Sequence, residues 1–182
     1  MKIKLYDDNN TFLGESTASL GVIDEKPVHT WSVYLDIAVS PTTLGGKLRV
    51  FPTDQGESSR LTQTINVQFE TLSLPDRVKM YGPLRLQLMT GKPVLFRGQM
   101  KDFSDNQMHI RLKDEVGKVF FKDIIDPNED NIGKFAYFTK TVDYKYVPST
   151  SEKGTWEIYT LDAENQETVI FSIPVRFKKS NS

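Results

Sequence analysis

The sequence predicts an all-β protein made of two tandem antiparallel β-sandwiches. Short segments in which polar and apolar residues alternate recur along the 182-residue chain, and this period of two is typical of a strand with one face on a core. No segment combines a sustained helical spacing of apolar residues with the residues that cap a helix. The chain also repeats itself once, so the single predicted sandwich becomes two.

The repeat is visible when the chain is compared with itself at a shift of 107 residues, which one inserted residue later changes to 108. Order and spacing both hold, which favours a true repeat over a chance match between two alternating patterns. The matched pairs include Ile3 and Ile110, Leu5 and Leu112, Asp7 and Asp114, Gly46 and Gly154, Ile65 and Ile173, Val67 and Val175, and Phe69 and Phe177.

Each copy begins with a strand that runs into a turn. Alternation predicts these strands at residues 2–6 and 109–113. Asn10 then aligns with Gly117, and these are the residue types that best tolerate a positive φ. We therefore expect a left-handed turn position in both copies. The paired acidic residues at 7–8 and 114–115 are interpreted as turn formers rather than as a glycosidase pair.

Further strands are predicted at residues 31–39, 48–51 and 65–69 of the first copy. In the second copy they are predicted at 84–89, 93–100 and 171–177. Pro174 lies inside the last of these strands. Because proline has no N–H to donate, we expect this position on a sheet edge or with its nitrogen directed away from a neighbouring strand.

The junction at residues 71–77 divides the chain into a first domain, 1–70, and a second domain, 71–182. The first copy starts at Met1 on the equivalent of Met108, so the first sandwich lacks its opening strands. Such a sheet exposes unpaired backbone groups and part of an apolar face. Three completions are open: residues upstream of Met1, residues 71–107 serving both copies, or a strand from another subunit added by β-augmentation.

Composition excludes several classes of function. Lys+Arg 23 against Asp+Glu 24 gives a net charge of -1, which does not favour nucleic acid as a partner. The absence of cysteine removes disulfides, thiolate nucleophiles and cysteine-ligated metal centres. No apolar run approaches the ~20 residues of a membrane-spanning helix. The N-terminus carries no signal-peptide pattern, so the protein is predicted to be cytoplasmic or to have lost a leader upstream of Met1.

The second copy carries a series of motifs in a fixed order. They are Phe103, residues 110–117, Pro148, residues 154–159 and the proline-containing strand 173–177. This order resembles the immunoglobulin-like domain of bacterial spore germination proteins. The first copy departs from it at Asn10, at Asn66 and in its absent start.

The resemblance implies two tandem immunoglobulin-like sandwiches that form a non-catalytic, extracytoplasmic module of a cell envelope or spore surface. Its role would be protein binding, adhesion or envelope architecture, and its partner another envelope or spore-surface protein. Alternatively, the partner is a second copy of this chain, bound through the incomplete first sheet. Two other functions stay open: a glycan-binding module that uses exposed aromatic side chains, and a phage or appendage subunit assembled by strand complementation.

Residues suited to catalysis are scarce in this sequence. His29 and His109 do not align with each other, and both fit solvated strand positions. The motifs of a nucleophile elbow, a zinc-protease helix and a phosphate-binding loop are absent from the sequence. We therefore predict no enzymatic activity and no cofactor, with calcium as the one alternative.

The calcium alternative concerns Asp126, Asn128 and Asp130, which place oxygen donors at every second position, as a calcium loop does at its start. No glycine occupies the sixth position, and Tyr137 stands where a calcium loop has its bidentate glutamate. A solvated polar loop is therefore the favoured interpretation.

Aromatic residues cluster in the second copy: Phe135, Tyr137, Tyr144, Tyr146, Trp156 and Tyr159. Tyr144 and Tyr146 align with Ile37 and Val39, which predicts core positions for both tyrosines. Core packing explains Tyr137 and Trp156 least well. These two are therefore the predicted ligand-binding residues.

Overall fold

The computed structural model describes residues 1–18, 33–70, 72–74, 76–103, 106–148 and 150–178, with the backbone alone at 72–74. Its regular structure consists of strands, and no described residue lies in an α-helix. The predicted all-β class is therefore confirmed. By its contacts the chain forms two compact units, unit 1 from Met1 to Phe69 and unit 2 from Glu70 to Ser182.

Unit 1 contains the strands β1 (Lys2–Asp7), β2 (Phe12–Thr17), β3 (Gly45–Phe51) and β4 (Gln63–Gln68). They form one antiparallel sheet in the order β2-β1-β3-β4. Ile3, Leu5 and Asp7 are buried at every second position of β1, as the alternation predicts. Ile3, Ala18 and Val50 form a small core, with Met1, Val33 and Leu48 packed against it.

Unit 2 contains β5 (Leu72–Leu74), β6 (Val78–Gly82), β7 (Leu88–Met89), β8 (Val94–Met100), β9 (Met108–Asp114), β10 (Val119–Ile125), β11 (Ala136–Val142), β12 (Lys153–Leu161) and β13 (Glu167–Phe177). One sheet has the order β10-β9-β12-β13-β7 and the other the order β11-β8-β6-β5. Among the described pairs of unit 2, β7 runs parallel to β13 and the rest are antiparallel.

Both sheets of unit 2 contribute side chains to one hydrophobic core. The sheet that contains β9 and β12 supplies Ile110, Leu112, Trp156 and Ile173, and the sheet that contains β8 and β11 supplies Met80, Phe96, Met100 and Phe138. These side chains are almost completely removed from water. Burial of a large apolar side chain contributes about 1.5–3 kcal/mol to folding, so this core is the main source of stability in unit 2.

The repeat in the sequence is also a repeat of strand register. Corresponding pairs in the two units are Ile3–Val50 and Ile110–Ile158, Asp7–Gly46 and Asp114–Gly154, and Leu48–Ile65 and Trp156–Ile173. A slip of one residue would turn every side chain to the opposite face of the sheet. Equivalent residues therefore face the same side of equivalent strands in both units.

The first turn of each unit has the predicted left-handed residue. Asn10 has a φ of 60° and Gly117 a φ of 87°. Asp7 Oδ1 accepts a hydrogen bond from the N–H of Thr11, and Asp114 Oδ1 accepts one from the N–H of Lys118, both at 2.8 Å. These bonds confirm that the two aspartates act as turn formers.

Two matched glycines allow an aromatic ring to approach the sheet closely. A Cβ at Gly154 would lie 2.5 Å from the carbonyl oxygen of Lys113 and 2.6 Å from Cζ of Phe177. A Cβ at Gly46 would lie 2.8 Å from Cζ of Phe69. The ring of the last strand therefore covers the glycine of the preceding strand in both units, and neither glycine has room for a side chain.

The strand predicted at residues 31–39 does not form as expected. Residues 31 and 32 lie outside the described residues, and residues 33–39 carry no strand. The repeat shift aligns part of this segment with β11, which pairs with β8 in unit 2. The described residues of unit 1 contain no strand that corresponds to β8.

The environment of Pro174 agrees with the sequence expectation. Arg176 donates its N–H to the carbonyl of Gln87 at 3.1 Å, so this side of β13 faces β7. Pro174 lies two residues earlier on the same side, and its nitrogen is directed away from β12. The predicted strand at 84–89 shortens to β7, because Leu86 has a φ of 57° and turns the chain.

We expect Gly154→Ala to lower the free energy of unfolding by about 1–3 kcal/mol, the usual cost of overpacking. The added methyl group would overlap Phe177 and the carbonyl of Lys113, and the two central strands would have to separate. Urea unfolding followed by tryptophan fluorescence measures the change. The control is Gly117→Asn, which reproduces the asparagine of unit 1 in a position with open space around it; its φ of 87° strains the backbone of any residue but glycine, so it should cost about 1 kcal/mol or less. Equal costs for the two variants would contradict the packing argument.

Candidate interaction surface

Tyr137 is the first outward-facing residue of β11. Its neighbours Ala136 and Phe138 are fully buried in the core, whereas the Tyr137 side chain is 55% exposed. The alternation of side chains along a strand explains this contrast. The predicted binding residue is therefore accessible, and it stands on a strand paired over its whole length with β8.

Other side chains on the same face of the sheet surround Tyr137. The ladder places Gln99 of β8 beside Tyr137, and Lys79 of β6 beside Gln99. Burial raises the pKa of Tyr81, and the nearby phenol of Tyr137 raises it further. We call this set the Tyr137 surface, which consists of Lys79, Tyr81, Arg97, Gln99, Phe135 and Tyr137.

Two cations of the Tyr137 surface lie against aromatic rings. Lys79 Nζ is 4.3 Å from the centroid of the Phe135 ring, and Arg97 Cζ is 5.9 Å from that of Tyr81. Such contacts contribute about 0.5–1 kcal/mol each where they are exposed to water. They also restrict the long side chains, so less entropy is lost when a partner binds. The surface thus combines ring faces, cationic groups and an amide on a rigid sheet.

Trp156, the second predicted binding residue, lies in the core and does not join the Tyr137 surface. It is 0% exposed, and its ring packs edge-to-face against Phe96, Phe121 and Tyr144 at centroid distances of 4.9, 5.8 and 6.0 Å. Its ring faces are covered and cannot stack on a ligand. It aligns with Leu48 at the repeat shift of 108, and that apolar match is the signal that would have placed it in the core.

The predicted core positions of the two tyrosines are half right. Tyr144 is buried, and its hydroxyl accepts a hydrogen bond from the N–H of Gly91 at 2.8 Å. Tyr146, however, is 49% exposed. Lys145 between them has a φ of 50°, and the N–H of Tyr146 donates to the carbonyl of Tyr144. This tight turn ends the alternation beyond β11.

The predicted calcium residues are exposed and take part in hydrogen bonds that hold the loop. Asp126 Oδ1 accepts a bond from Gln107 Nε2, Asp130 Oδ1 accepts one from the N–H of Ile132, and the N–H of Asn128 donates to the carbonyl of Tyr137. The described part of the chain contains no group of three or more His, Cys, Asp or Glu side chains placed to hold a metal ion.

Asn131 anchors this loop, a role the sequence did not indicate. It is fully buried, its Oδ1 accepts a hydrogen bond from the N–H of Phe103 at 2.8 Å, and its Nδ2 donates to Oδ1 of Asn106 at 2.6 Å. The loop before β11 is thereby tied to the connection between β8 and β9. Because β11 follows this loop, Asn131 helps to hold the strand that carries Tyr137.

His109 faces away from the core and lines a cleft of about 520 Å³. Its ring lies 5.3 Å from that of Tyr159. The lysines of the cleft already have partners: Lys140 Nζ contacts Asp123 Oδ1 at 2.8 Å and Lys122 Nζ contacts Glu167 Oε1 at 3.1 Å. His29, the other histidine, lies outside the described residues.

The outer face of each repeated sheet carries a compensated charge network. In unit 2, Glu157 contacts Arg111 at 2.6 Å and Lys113 at 2.5 Å, and these cations help to lower its pKa although burial opposes them. In unit 1, Glu57 contacts both Lys4 and Arg49. The Lys4 ammonium group lowers the pKa of Glu57 to about 2, Arg49 and Tyr6 act in the same direction, and burial opposes them.

Comparison with family models, curated proteins and solved structures gives no significant match to this chain. Within the part of the chain that the structure describes, no helix has the length and apolar character needed to cross a membrane.

We expect Asn131→Ala to lower the free energy of unfolding by about 2–3 kcal/mol, because it leaves the buried N–H of Phe103 without an acceptor. Thermal and chemical unfolding of the full chain measure the loss. Asn128→Ala is the matched control in the same loop. Asn128 is exposed and its described contact uses the backbone, so a change of less than about 0.5 kcal/mol is expected. A neutral Asn131→Ala would contradict the anchoring role.

We expect Glu57→Gln to destabilise the protein by about 1 kcal/mol at pH 7. The pKa of Glu57 is about 2 in the folded state against an ordinary 4.5, so folding favours the ionised form. The resulting stabilisation is fully present above pH 4.5 and is lost as the pH falls toward 2. Melting temperatures of wild type and variant should therefore converge near pH 2.

Glu15→Gln is the control for this pH dependence, because the pair of Glu15 with Lys2 is more exposed. It should change stability by less than about 0.5 kcal/mol at pH 7. A difference between wild type and Glu57→Gln that persists unchanged from pH 7 to pH 2 would refute the assigned role of the carboxylate.

Proposed function

We propose that this chain is a non-catalytic module of two tandem immunoglobulin-like β-sandwiches that binds another protein of a bacterial cell envelope or spore surface. The observation that carries the proposal is the Tyr137 surface, where the exposed ring on β11 lies in the same sheet as the restrained cations of β6 and β8. Tyrosine and arginine are enriched among the residues that dominate the energy of protein interfaces. A rigid sheet also keeps the ordering cost of binding low.

The immunoglobulin-like arrangement is proposed on two grounds. Unit 2 has two sheets that feed one core, which is the basic plan of a sandwich. Unit 1 repeats the register of four of these strands. The extracytoplasmic location and the adhesion role rest on the resemblance of residues 110–117 and 173–177 to the spore germination domain.

A glycan is the second candidate ligand, and the exposure of Tyr137 beside Gln99 favours it. A tyrosine ring can pack against the apolar face of a sugar, while an amide side chain hydrogen-bonds the hydroxyl groups. Because Trp156 is buried in the core, the Tyr137 surface offers fewer aromatic ring faces to a sugar than the sequence predicts. Protein binding therefore remains the first proposal.

We expect Tyr137→Ala to reduce binding of the full chain to isolated envelopes or spores of a spore-forming bacterium by about 30-fold, the effect of losing about 2 kcal/mol at an interface. The thermal stability should change little because the side chain is outside the core. Titration of the bound fraction with the labelled chain gives the affinity. Parallel titration on insoluble peptidoglycan and cellulose tests the glycan candidate.

Tyr146→Ala is the matched control, since Tyr146 is similarly exposed but packs against Phe120 outside the Tyr137 surface. It should bind as the wild type does. Protease treatment of the envelopes removes a protein partner and should abolish binding, whereas it would leave a glycan ligand in place. Equal binding by wild type and Tyr137→Ala would overturn the assignment of this surface.

A further inference from the structure

The outer edge of β4 has no strand beside it in the described part of unit 1. The sheet order places β4 at one end, next to β3. Phe69 donates its N–H to the carbonyl of Leu44 on the β3 side at 2.9 Å. Because backbone groups alternate in direction along a strand, Asn66, Gln68 and Glu70 present theirs to the opposite side.

The equivalent edge of unit 2 is occupied. Segment 86–89 lies parallel to β13, with Leu88 beside Arg176 and Met89 beside Phe177. Three bonds hold this segment: the N–H of Leu86 donates to the carbonyl of Pro174, that of Arg176 to the carbonyl of Gln87, and that of Lys178 to the carbonyl of Met89. They span 2.7 to 3.3 Å.

The repeat shift transfers these bonds to unit 1 residue by residue. Pro174 corresponds to Asn66, Arg176 to Gln68 and Lys178 to Glu70. The bond from Phe69 to Leu44 has its own counterpart, because Phe177 donates to Glu152 at the same distance of 2.9 Å. The inner sides of β4 and β13 therefore match, while the described neighbours on their outer sides do not.

Side chains on the core face also differ in burial between the occupied edge of unit 2 and the open edge of unit 1. Ile173, next to the segment that contains β7, is fully buried, whereas its counterpart Ile65 is half exposed. Met89 of β7 is itself fully buried in the core of unit 2. A strand placed on β4 in the same way would bring an apolar side chain next to Phe69.

We propose that the β4 edge binds an extended segment of a partner protein, which pairs in parallel with β4 through the backbone of Asn66, Gln68 and Glu70. The segment has the chemistry of residues 86–89, with an apolar side chain directed onto the core face of the sheet. Backbone hydrogen bonds provide the affinity in this mode of recognition, and alternate side chains provide the specificity.

A second copy of the same edge is a poor occupant for this site. A two-fold symmetric dimer uses the same surface on both chains, and two β4 strands related by a two-fold axis perpendicular to their sheet pair antiparallel. The occupied edge of unit 2 is parallel. By analogy with segment 86–89 on β13, the strand that pairs with β4 therefore has a different sequence and comes from a partner protein.

A synthetic peptide with the sequence of residues 83–92 is the probe. Fluorescence anisotropy with the full chain should show saturable binding, and residue-resolved hydrogen exchange should show new protection at Gln68 and Glu70. In the free protein, the amides of Asn66, Gln68 and Glu70 should exchange fast. Slow exchange of these amides before the peptide is added would mean that the chain covers its own edge, and the proposal would be wrong.

Two proline variants separate the outer edge from the fold. Gln68→Pro removes the N–H that should donate to the peptide, and we expect it to weaken binding about tenfold or more. Asn66→Pro makes the same change two residues earlier, where β13 has Pro174 and still carries its parallel neighbour. It should bind as the wild type does. Equal loss in both variants, or in neither, would overturn the proposal.

Modified peptides test the same bonds without changing the protein. N-methylation at Leu86 removes the donor for the carbonyl of Asn66 and should weaken binding about tenfold. N-methylation at Leu88 is the control, because the carbonyls of Gln87 and Met89 face β13 and the N–H of Leu88 lies on the other side. Sedimentation that finds wild-type dimers disrupted by Gln68→Pro would assign the edge to a second copy and overturn the parallel partner.

The β4 edge and the Tyr137 surface consist of different residues and are tested by different variants. Failure of the peptide to bind would leave the effect of Tyr137→Ala on envelope binding unchanged. If Tyr137→Ala bound envelopes as the wild type does, the expected binding of the peptide to the β4 edge would likewise be unaffected.

Discussion

The apolar face of a β-sheet must be covered by a second layer, and this requirement governs both units. In unit 2 a second sheet supplies Phe96 and Phe138 to the face formed by Ile110 and Trp156. The described part of unit 1 repeats the first sheet but contains no strands equivalent to β6 and β8. Its described core is accordingly reduced to a few residues around Ile3 and Val50. The two units thus share a strand register and differ in what covers it.

The close approach of a ring to a glycine links the register to the packing. Phe177 lies over Gly154 and Phe69 over Gly46, so the last strand of each repeat is held at one position relative to the strand before it. A glycine in a strand weakens the strand by itself, but the ring that fills its place restores contact. This contact fixes which residues of β13 and β4 face outward. The parallel segment in unit 2 and the open edge in unit 1 both depend on it.

Many of the polar and charged side chains stabilise the folded chain. Asp7 and Asp114 close turns, Asn131 anchors a loop, and Glu57 and Glu157 each neutralise two cations. The binding proposed above would then use groups that the fold leaves accessible. On the four-stranded sheet this is above all the ring of Tyr137, and in unit 1 they are the backbone groups of β4.

The sequence by itself determined the all-β class, the repeat, the left-handed turns at Asn10 and Gly117, and the direction of the Pro174 nitrogen, away from β12. These features depend on local rules: the period of two, the tolerance of positive φ and the missing N–H of proline. The tertiary structure decided which aromatic side chains are accessible. Trp156 and Tyr137 are equally aromatic, but one lies between two sheets and the other outside them. It also decided that residues 33–39 form no strand: Ala38 donates its N–H to the carbonyl of Leu13 on β2, but the segment carries no ladder, and such pairing depends on tertiary context more than on local sequence.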